Sequence, residues 1–257
     1  MKVYFIGAGP GDPELITVKG QRLIEQSPVI LFAGSLVPKE ILAKHPADAL
    51  VVDTSTLHFQ QIVEYFEKAR RQDMNVARVH SGDPSIYGAI GEQIRWLVKH
   101  EIEFEVVPGV TSTSASAAAL GVELTLPGVS QTVILTRYEG KTAMPEGEQL
   151  FELARHKATM AIHLGITRIH KIVEELIPVY GADCPVTVLY RVSWPDEQRI
   201  TGTLSDIVGK VRARKINRTA LIIVGHVLGS VQFDQSYLYD ESKAHFYRPR
   251  KIPNRSK

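Results

Sequence analysis

Cysteine is almost missing from this sequence. The single example, Cys184, excludes an intrachain disulfide and any zinc site built on several thiolates. Such usage fits an intracellular protein, and a cytoplasmic location is expected. No apolar run approaches the length that spans a bilayer, and the N-terminus has no basic region followed by an apolar signal stretch, so no membrane role is expected. Charge excess is missing too. A net charge of +2 over 257 residues does not argue for nucleic acid. The nine histidines are scattered, without an HExxH motif or a His/Cys cluster at ligand spacing, and no protein metal site is expected. His80, at a strand end, reads as a packed structural histidine. One basic stretch stands apart: KAHFYRPRKIPNRSK (243–257) carries Lys243, Arg248, Arg250, Lys251, Arg255 and Lys257 and no acidic residue. It reads as a solvated terminus, the alternative being a basic segment that covers an anionic ligand or RNA.

What is present is an ordinary globular composition, 44% hydrophobic and 23% charged, in a chain long enough for one large or two medium domains. Apolar, β-branched runs recur at 3–6, 29–33, 49–53, 76–80 and 104–107, and again at 132–136, 160–164, 186–190 and 220–225. Between several of them lie helical patterns, such as Ile62, Phe66 and Ala69, or Ile90, Ile94, Leu97 and Val98. Helices are expected around 167–178 and 204–214. Short apolar strands alternating with helices imply α/β architecture with mainly parallel sheets. Two α/β domains are expected, residues 1–121 and 122–257, the second including the basic tail.

The opening segment VYFIGAGPGDPELIT imitates a dinucleotide fingerprint. Counting from Gly7, however, the glycines fall at 7, 9 and 11, and Asp12 occupies the sixth place where the fingerprint needs glycine. Asp12 brings negative charge and Pro10 lacks an N–H, so a pyrophosphate is disfavoured. Two further loops follow strands with glycine, proline and small polar residues: HSGDPSIYGAIGEQI and VPGVTSTSASA. Capping explains part of this chemistry, with Ser81 or Asp83 serving a helix that starts near Ile86, and Thr111 or Ser112 the next one. Their common layout suggests one shared pocket.

Together, GAGPGDPELITVKG, VHSGDPSIYGAIGEQI and VPGVTSTSASAAA resemble the signature segments of the tetrapyrrole (corrin and porphyrin) methylases, which use S-adenosylmethionine. AGSLVP, SQTVILTRYEGKTAMP and YRVSWPDEQ are similar to one branch of that family, the precorrin-4 and cobalt-precorrin-4 C-11 methyltransferases of cobalamin synthesis. The resemblance covers nearly the whole chain. It implies the tetrapyrrole methylase fold, with the cofactor folded into the cleft between two domains, and a homodimer. The implied ligand has an adenosine, a sulfonium and an amino acid end but no phosphate, which agrees with the objection raised by Asp12 and Pro10.

By motif match the resemblance implies cofactor contacts at Pro10, Ser81, Gly82, Asp83, Ile86, Thr111 and Ser112. From the second half of the chain it implies Leu164, Val192, Ser193, Thr219 and Ala220. The family often has two glycines where this chain has Ser81 and Gly82. The implied substrate is a macrocycle rich in carboxylates, for which Tyr87, Arg137 and Arg191 are the candidates. No catalytic base is named, because a charged sulfonium is already an activated leaving group; Asp83 is the nearest carboxylate. Three other readings compete: a related methylase acting at another corrinoid or porphyrinoid carbon or on a modified histidine, a non-catalytic tetrapyrrole carrier, and a nicotinamide oxidoreductase. AGSLVP and LTRYEGKT favour the C-11 branch over the first, the intact GPGDP, SGDPSIYG and PGVTS segments speak against the second, and the missing fingerprint against the third.

Overall fold

The structure, a computed structural model, describes residues 1–240, 243, 244 and 246–248. Of the basic tail, Arg250, Lys251, Arg255 and Lys257 lie outside the described residues. The chain divides into two compact units, one of residues 1–121, 188–199 and 216–221, the other of residues 122–187, 200–215 and 222–257.

The first unit is built on β1 (Lys2–Gly7), β2 (Val29–Phe32), β3 (Leu50–Asp53), β4 (Val76–His80) and β5 (Glu103–Val107), in the order β3-β2-β4-β1-β5 with every pairing parallel. Parallel strands need crossovers, supplied here by α1 (Val18–Gln26), α2 (Phe59–Arg71) and α3 (Gly91–Lys99), with α4 (Ser112–Leu120) following β5. Both sheet faces are covered, which is why the strands read as continuous apolar runs. On one face Ile6, Ile30, Phe32, Ala77 and Val79 pack with Leu23 and Ile24 of α1. On the other, Val3, Phe5, Val29, Leu31 and Val76 pack with Ile62 and Phe66 of α2 and Leu97 of α3. Alternate residues of each strand thus serve opposite layers.

The remaining strands are β6 (Val133–Arg137), β7 (Thr159–His163), β8 (Pro185–Tyr190), β9 (Gln198–Thr203) and β10 (Ala220–Val224), ordered β6-β7-β10-β8-β9. This sheet is mixed: β6 runs parallel to β7, but β10 runs antiparallel to it. The helices are α5 (Leu150–Ala154), α6 (Ile169–Tyr180) and α7 (Ile207–Ala213). Neither β9 nor α5 was expected. In QRITGT only Ile200 is apolar and buried, so no apolar run marks the strand. Among the described residues, no helix is long and apolar enough to cross a membrane.

Candidate active site

Strand order brings the notable loops together. Because β1 lies between β4 and β5, the turns after these three strands emerge side by side at the carboxyl edge of the sheet. This is where open parallel sheets bind ligands. The turns are joined through main chain: Ala8 N–H donates to His80 O at 2.8 Å, Gly9 N–H to Gly82 O at 3.3 Å, and Gly82 N–H to Gly9 O at 2.7 Å. Gly9 and Gly82 both take the left-handed conformation, φ +78° and +63°. A Cβ on Gly7 would lie 2.6 Å from both Gly109 N and Gly82 O, and one on Gly109 would lie 2.2 Å from Gly82 O. The glycines therefore permit loop-to-loop contact, not the approach of a pyrophosphate.

Asp83 ties the second and third loops. Its Oδ1 accepts from Ser85 N–H at 2.7 Å and its Oδ2 from Gly109 N–H at 3.0 Å. The expected helix start near Ile86 is corrected by the structure: α3 begins at Gly91 after Ile90, without a side-chain cap. Tyr87 and Ala89 have φ of +57° and +51°, which breaks helical continuation, so Asp83 closes a turn instead of capping a helix. Thr111 does cap α4, accepting from Ser114 N–H at 3.2 Å, with Ser112 as the first helical residue.

A fourth segment, residues 191–199, belongs to the same unit and fastens onto the first loop. Trp194 Nε1–H donates to Pro10 O at 2.8 Å, and Asp12 N–H donates to Ser193 Oγ at 2.9 Å. Gly11 is glycine because of this ring, since a Cβ there would sit 2.2 Å from Trp194 Cδ1. Ser193 N–H in turn donates to Glu197 Oε2 at 2.7 Å, and Glu197 Oε1 receives Arg199 Nε–H at 2.6 Å. Burial by itself raises the Glu197 carboxyl, but the Ser193 N–H and the Arg199 guanidinium outweigh it and hold the group below its usual value. Arg199 also donates to Ala119 O of α4. Arg191 lies over the Trp194 ring at 4.0 Å with its Nε 2.8 Å from Asp196 Oδ1, and its backbone N–H reaches Thr219 O at 2.9 Å.

Thus Pro10, Ser81, Gly82, Asp83, Thr111 and Ser112 occupy adjoining turns, and Arg191, Val192, Ser193, Thr219 and Ala220 stand in segments bonded to those turns or to each other. Ile86 donates its N–H to Asp83 O at 3.1 Å, and Tyr87 follows, 46% exposed. Leu164 and Arg137 belong to the second unit. There they sit at the carboxyl ends of the parallel pair β7 and β6. Arg137 donates to Thr142 O at 3.0 Å and Ala143 O at 2.9 Å, whereas Leu164 is 71% exposed.

Backbone strain picks out these positions independently. Among the described residues, ten non-glycine residues have positive φ. Asp73, Glu101, Lys157 and Lys215 lie just past helix C-termini, where such a turn is routine. Of the rest, Tyr87, Leu164, Arg191, Ser193 and Thr219 are all sequence candidates, and Ala89 adjoins them. Such conformations persist where surrounding structure enforces them, and they concentrate at ligand sites.

Trp194, Glu197 and Gly109 are the residues sequence reasoning missed. Trp194 stands inside YRVSWPDEQ, and the pairing of a Trp-Pro loop with a glycine at 11 that serves no fingerprint was the available signal. His80 is 5% exposed, and its Nε2 has no hydrogen-bond partner among the described residues. Burial, aided by the Arg78 charge, lowers its imidazole to about 3, so it is neutral at physiological pH.

The chemistry of the loops suits a cationic ligand without phosphate. No Lys, Arg or His occurs within 7–12, 81–83 or 108–112. The N–H groups of Ala8, Gly9, Asp12, Gly82 and Gly109 are already engaged inside the protein, which removes these five donors from any phosphate cradle.

Comparison with known proteins agrees. A family model described as Tetrapyrrole (Corrin/Porphyrin) Methylases matches residues 2–208. The chain is 63% identical over 249 residues to the precorrin-4 C(11)-methyltransferase of Pseudomonas aeruginosa, covering 97% of this chain and 99% of that protein. It superposes on the X-ray structure of a cobalamin biosynthetic enzyme, cobalt precorrin-4 methyltransferase, with TM-score 0.86 and 45% identity over 89% of this chain and 96% of that one. The uroporphyrin-III C-methyl transferase of Thermus thermophilus, complexed with S-adenyl homocysteine, matches with TM-score 0.74 and 32% identity, covering 89% and 94% of the two chains.

Proposed function

Because the chain belongs to the tetrapyrrole (corrin/porphyrin) methylases, we propose that it transfers a methyl group from S-adenosylmethionine to C-11 of precorrin-4, or of its cobalt form, giving the corresponding precorrin-5. For the cofactor, the reading is carried by one observation: the N–H groups of Ala8, Gly9, Asp12, Gly82 and Gly109 are spent inside the protein, which leaves carbonyl-rich loops that carry the acidic Asp12 and Asp83 and no basic side chain. For the acceptor, it rests on what the near-full-length relatives are named to act on.

When bound, S-adenosylmethionine supplies an electrophilic methyl group on a positively charged sulfur. The protein's share of the work is to hold and orient. Pro10, Ser81, Gly82, Asp83, Ile86, Thr111 and Ser112, with Val192, Ser193, Thr219 and Ala220, are assigned to cofactor binding. Trp194 and Ser193 fix the shape of the first loop through Pro10 O and Asp12 N–H. Tyr87 and Arg191 are assigned to the macrocycle. Alignment of two bound reactants is worth effective molarities on the order of 10⁵–10⁸ M, so no strong base is required. Both Asp83 oxygens accept main-chain N–H groups, which gives this carboxylate a shaping role instead of a proton-transfer role.

We place the enzyme in the cytoplasm as a homodimer, the oligomeric state being what family resemblance implies. Sedimentation of the purified chain tests the latter; a monomeric mass contradicts it. The activity is tested by supplying S-adenosylmethionine with precorrin-4 and with cobalt-precorrin-4 in parallel. A product one methyl heavier in either reaction supports the assignment and identifies the metal state of the substrate.

A further inference from the structure

A buried polar chain links the first sheet to the turn that carries Ile86 and Tyr87. Arg78, midway along β4, is 6% exposed, and Gln93, on α3, is 3% exposed. Arg78 Nε–H donates to Gln93 Oε1 at 3.2 Å and its Nη1 to Leu31 O of β2 at 3.3 Å. Gln93 Nε2 donates to Ala89 O at 3.1 Å. The amide orientation follows from the partners: a guanidinium only donates, so Oε1 must face Arg78 and Nε2 is left for the Ala89 carbonyl. Ala89 has φ +51° and Tyr87 φ +57°.

Arg78 has no carboxylate within ion-pair distance among the described residues. Burial lowers its guanidinium to about 10, so it remains a cation at neutral pH. A buried cation satisfied only by neutral acceptors is a poor source of stability, and an apolar residue of similar volume commonly does as well or better. Its value therefore lies in where it holds something. The something at the end of the chain is a turn in two left-handed conformations that ordinary residues adopt only when held there.

We propose that Arg78 and Gln93 are positioning residues, a buried brace that runs from Leu31 O to Ala89 O, holds the Tyr87–Ala89 turn, and so sets Tyr87 for the macrocyclic substrate, while Ile86 is held separately through Asp83 O. The link to substrate rests on the function proposed above, whereas the brace itself does not.

The decisive variant is Gln93→Glu. It keeps an acceptor for Arg78 and adds an opposite charge, but it removes the donor to Ala89 O. The melting temperature is expected to stay level or rise. Amide hydrogen exchange across residues 85–90 is expected to quicken by about fivefold, with a similar rise in KM for the tetrapyrrole, the effect of one lost hydrogen bond. Affinity for S-adenosylhomocysteine should be unchanged. Should Gln93→Glu fail to fold, the double variant Arg78→Met, Gln93→Leu removes the brace without leaving a buried charge, and the same readings apply. Unchanged exchange over 85–90 overturns the brace. Faster exchange with native KM overturns its role in positioning substrate. The exchange measurement needs no substrate, so a native protein that methylates neither precorrin would refute the proposed function while the brace is still read.

Discussion

Removing a single hydrogen-bond donor, the indole N–H of Trp194, tests whether the segment 191–199 shapes the glycine-rich loop after β1, to which cofactor binding is assigned above. Phenylalanine at 194 keeps an aromatic ring beside Gly11 and beneath Arg191 but leaves Pro10 O without its partner at 2.8 Å. A net intramolecular hydrogen bond is worth about 0.5–1.5 kcal/mol. With about 1.4 kcal/mol per factor of ten, the Kd for S-adenosylhomocysteine should rise by about twofold to tenfold, toward the lower figure because the half-buried Pro10 carbonyl can recruit water. Isothermal titration calorimetry measures this without turnover.

The companion variant is Gly11→Ala. Its new Cβ would meet Trp194 Cδ1 at 2.2 Å and Nε1 at 2.3 Å, so the indole must leave its position. In a Trp194→Ala background that obstruction is gone, and the same alanine should be nearly harmless. The double-mutant cycle is expected to show coupling of about 1–3 kcal/mol, as for residues in direct contact. Additivity within about 0.5 kcal/mol, together with native affinity in Trp194→Phe, would refute the idea that this ring shapes the loop.

Three further outcomes are expected. Gly109→Ala should destabilise by about 1–3 kcal/mol or more, because its Cβ meets backbone on two sides and neither Gly82 O nor Gly7 Cα can rotate away; a native denaturant midpoint would contradict this. Asp83→Ala, which loses two charge-assisted bonds, should cost about 2–4 kcal/mol and weaken S-adenosylhomocysteine binding, while Asp83→Asn, whose amide nitrogen cannot accept the second main-chain N–H, should lose roughly half as much, with turnover falling only in step with binding. Loss of turnover in Asp83→Asn with stability and binding intact would instead identify a proton-transfer role. His80, neutral when folded down to about pH 3 but protonated near 6.5 when unfolded, contributes fully above its unfolded value and loses that contribution as pH falls. His80→Gln should therefore flatten the fall in stability between about pH 6 and about pH 4 by up to ~1.4 kcal/mol per pH unit, and an unchanged slope contradicts it.

Much of the fold is legible in the sequence because buried parallel strands advertise themselves: VYFI, VILFA and VARVH are runs that little else explains. β9 was hidden because it offers one apolar residue, Ile200, between polar neighbours. The gathering of the three turns depends on β1 lying between β4 and β5, which no local pattern encodes. Motif resemblance supplied Ser193 and Thr219, but only the structure shows their positive φ and their bonds to Asp12 N–H and Arg191 N–H. The helix expected near Ile86 failed for a related reason: Ser81 and Asp83 read as caps for it, and nothing in SIYGAI announces that Tyr87 and Ala89 are held left-handed. Trp194 was passed over because its partner is a backbone carbonyl 184 residues earlier.

Methyl transfer itself is the most direct test. The purified protein is incubated with S-adenosylmethionine carrying a ¹³C-labelled methyl and with precorrin-4 and cobalt-precorrin-4 in separate reactions, and the labelled carbon is located by NMR. A new methyl at C-11 in one of the two products is the expected result. Label at another carbon, or no transfer to either macrocycle by protein that binds S-adenosylhomocysteine, would contradict the assignment.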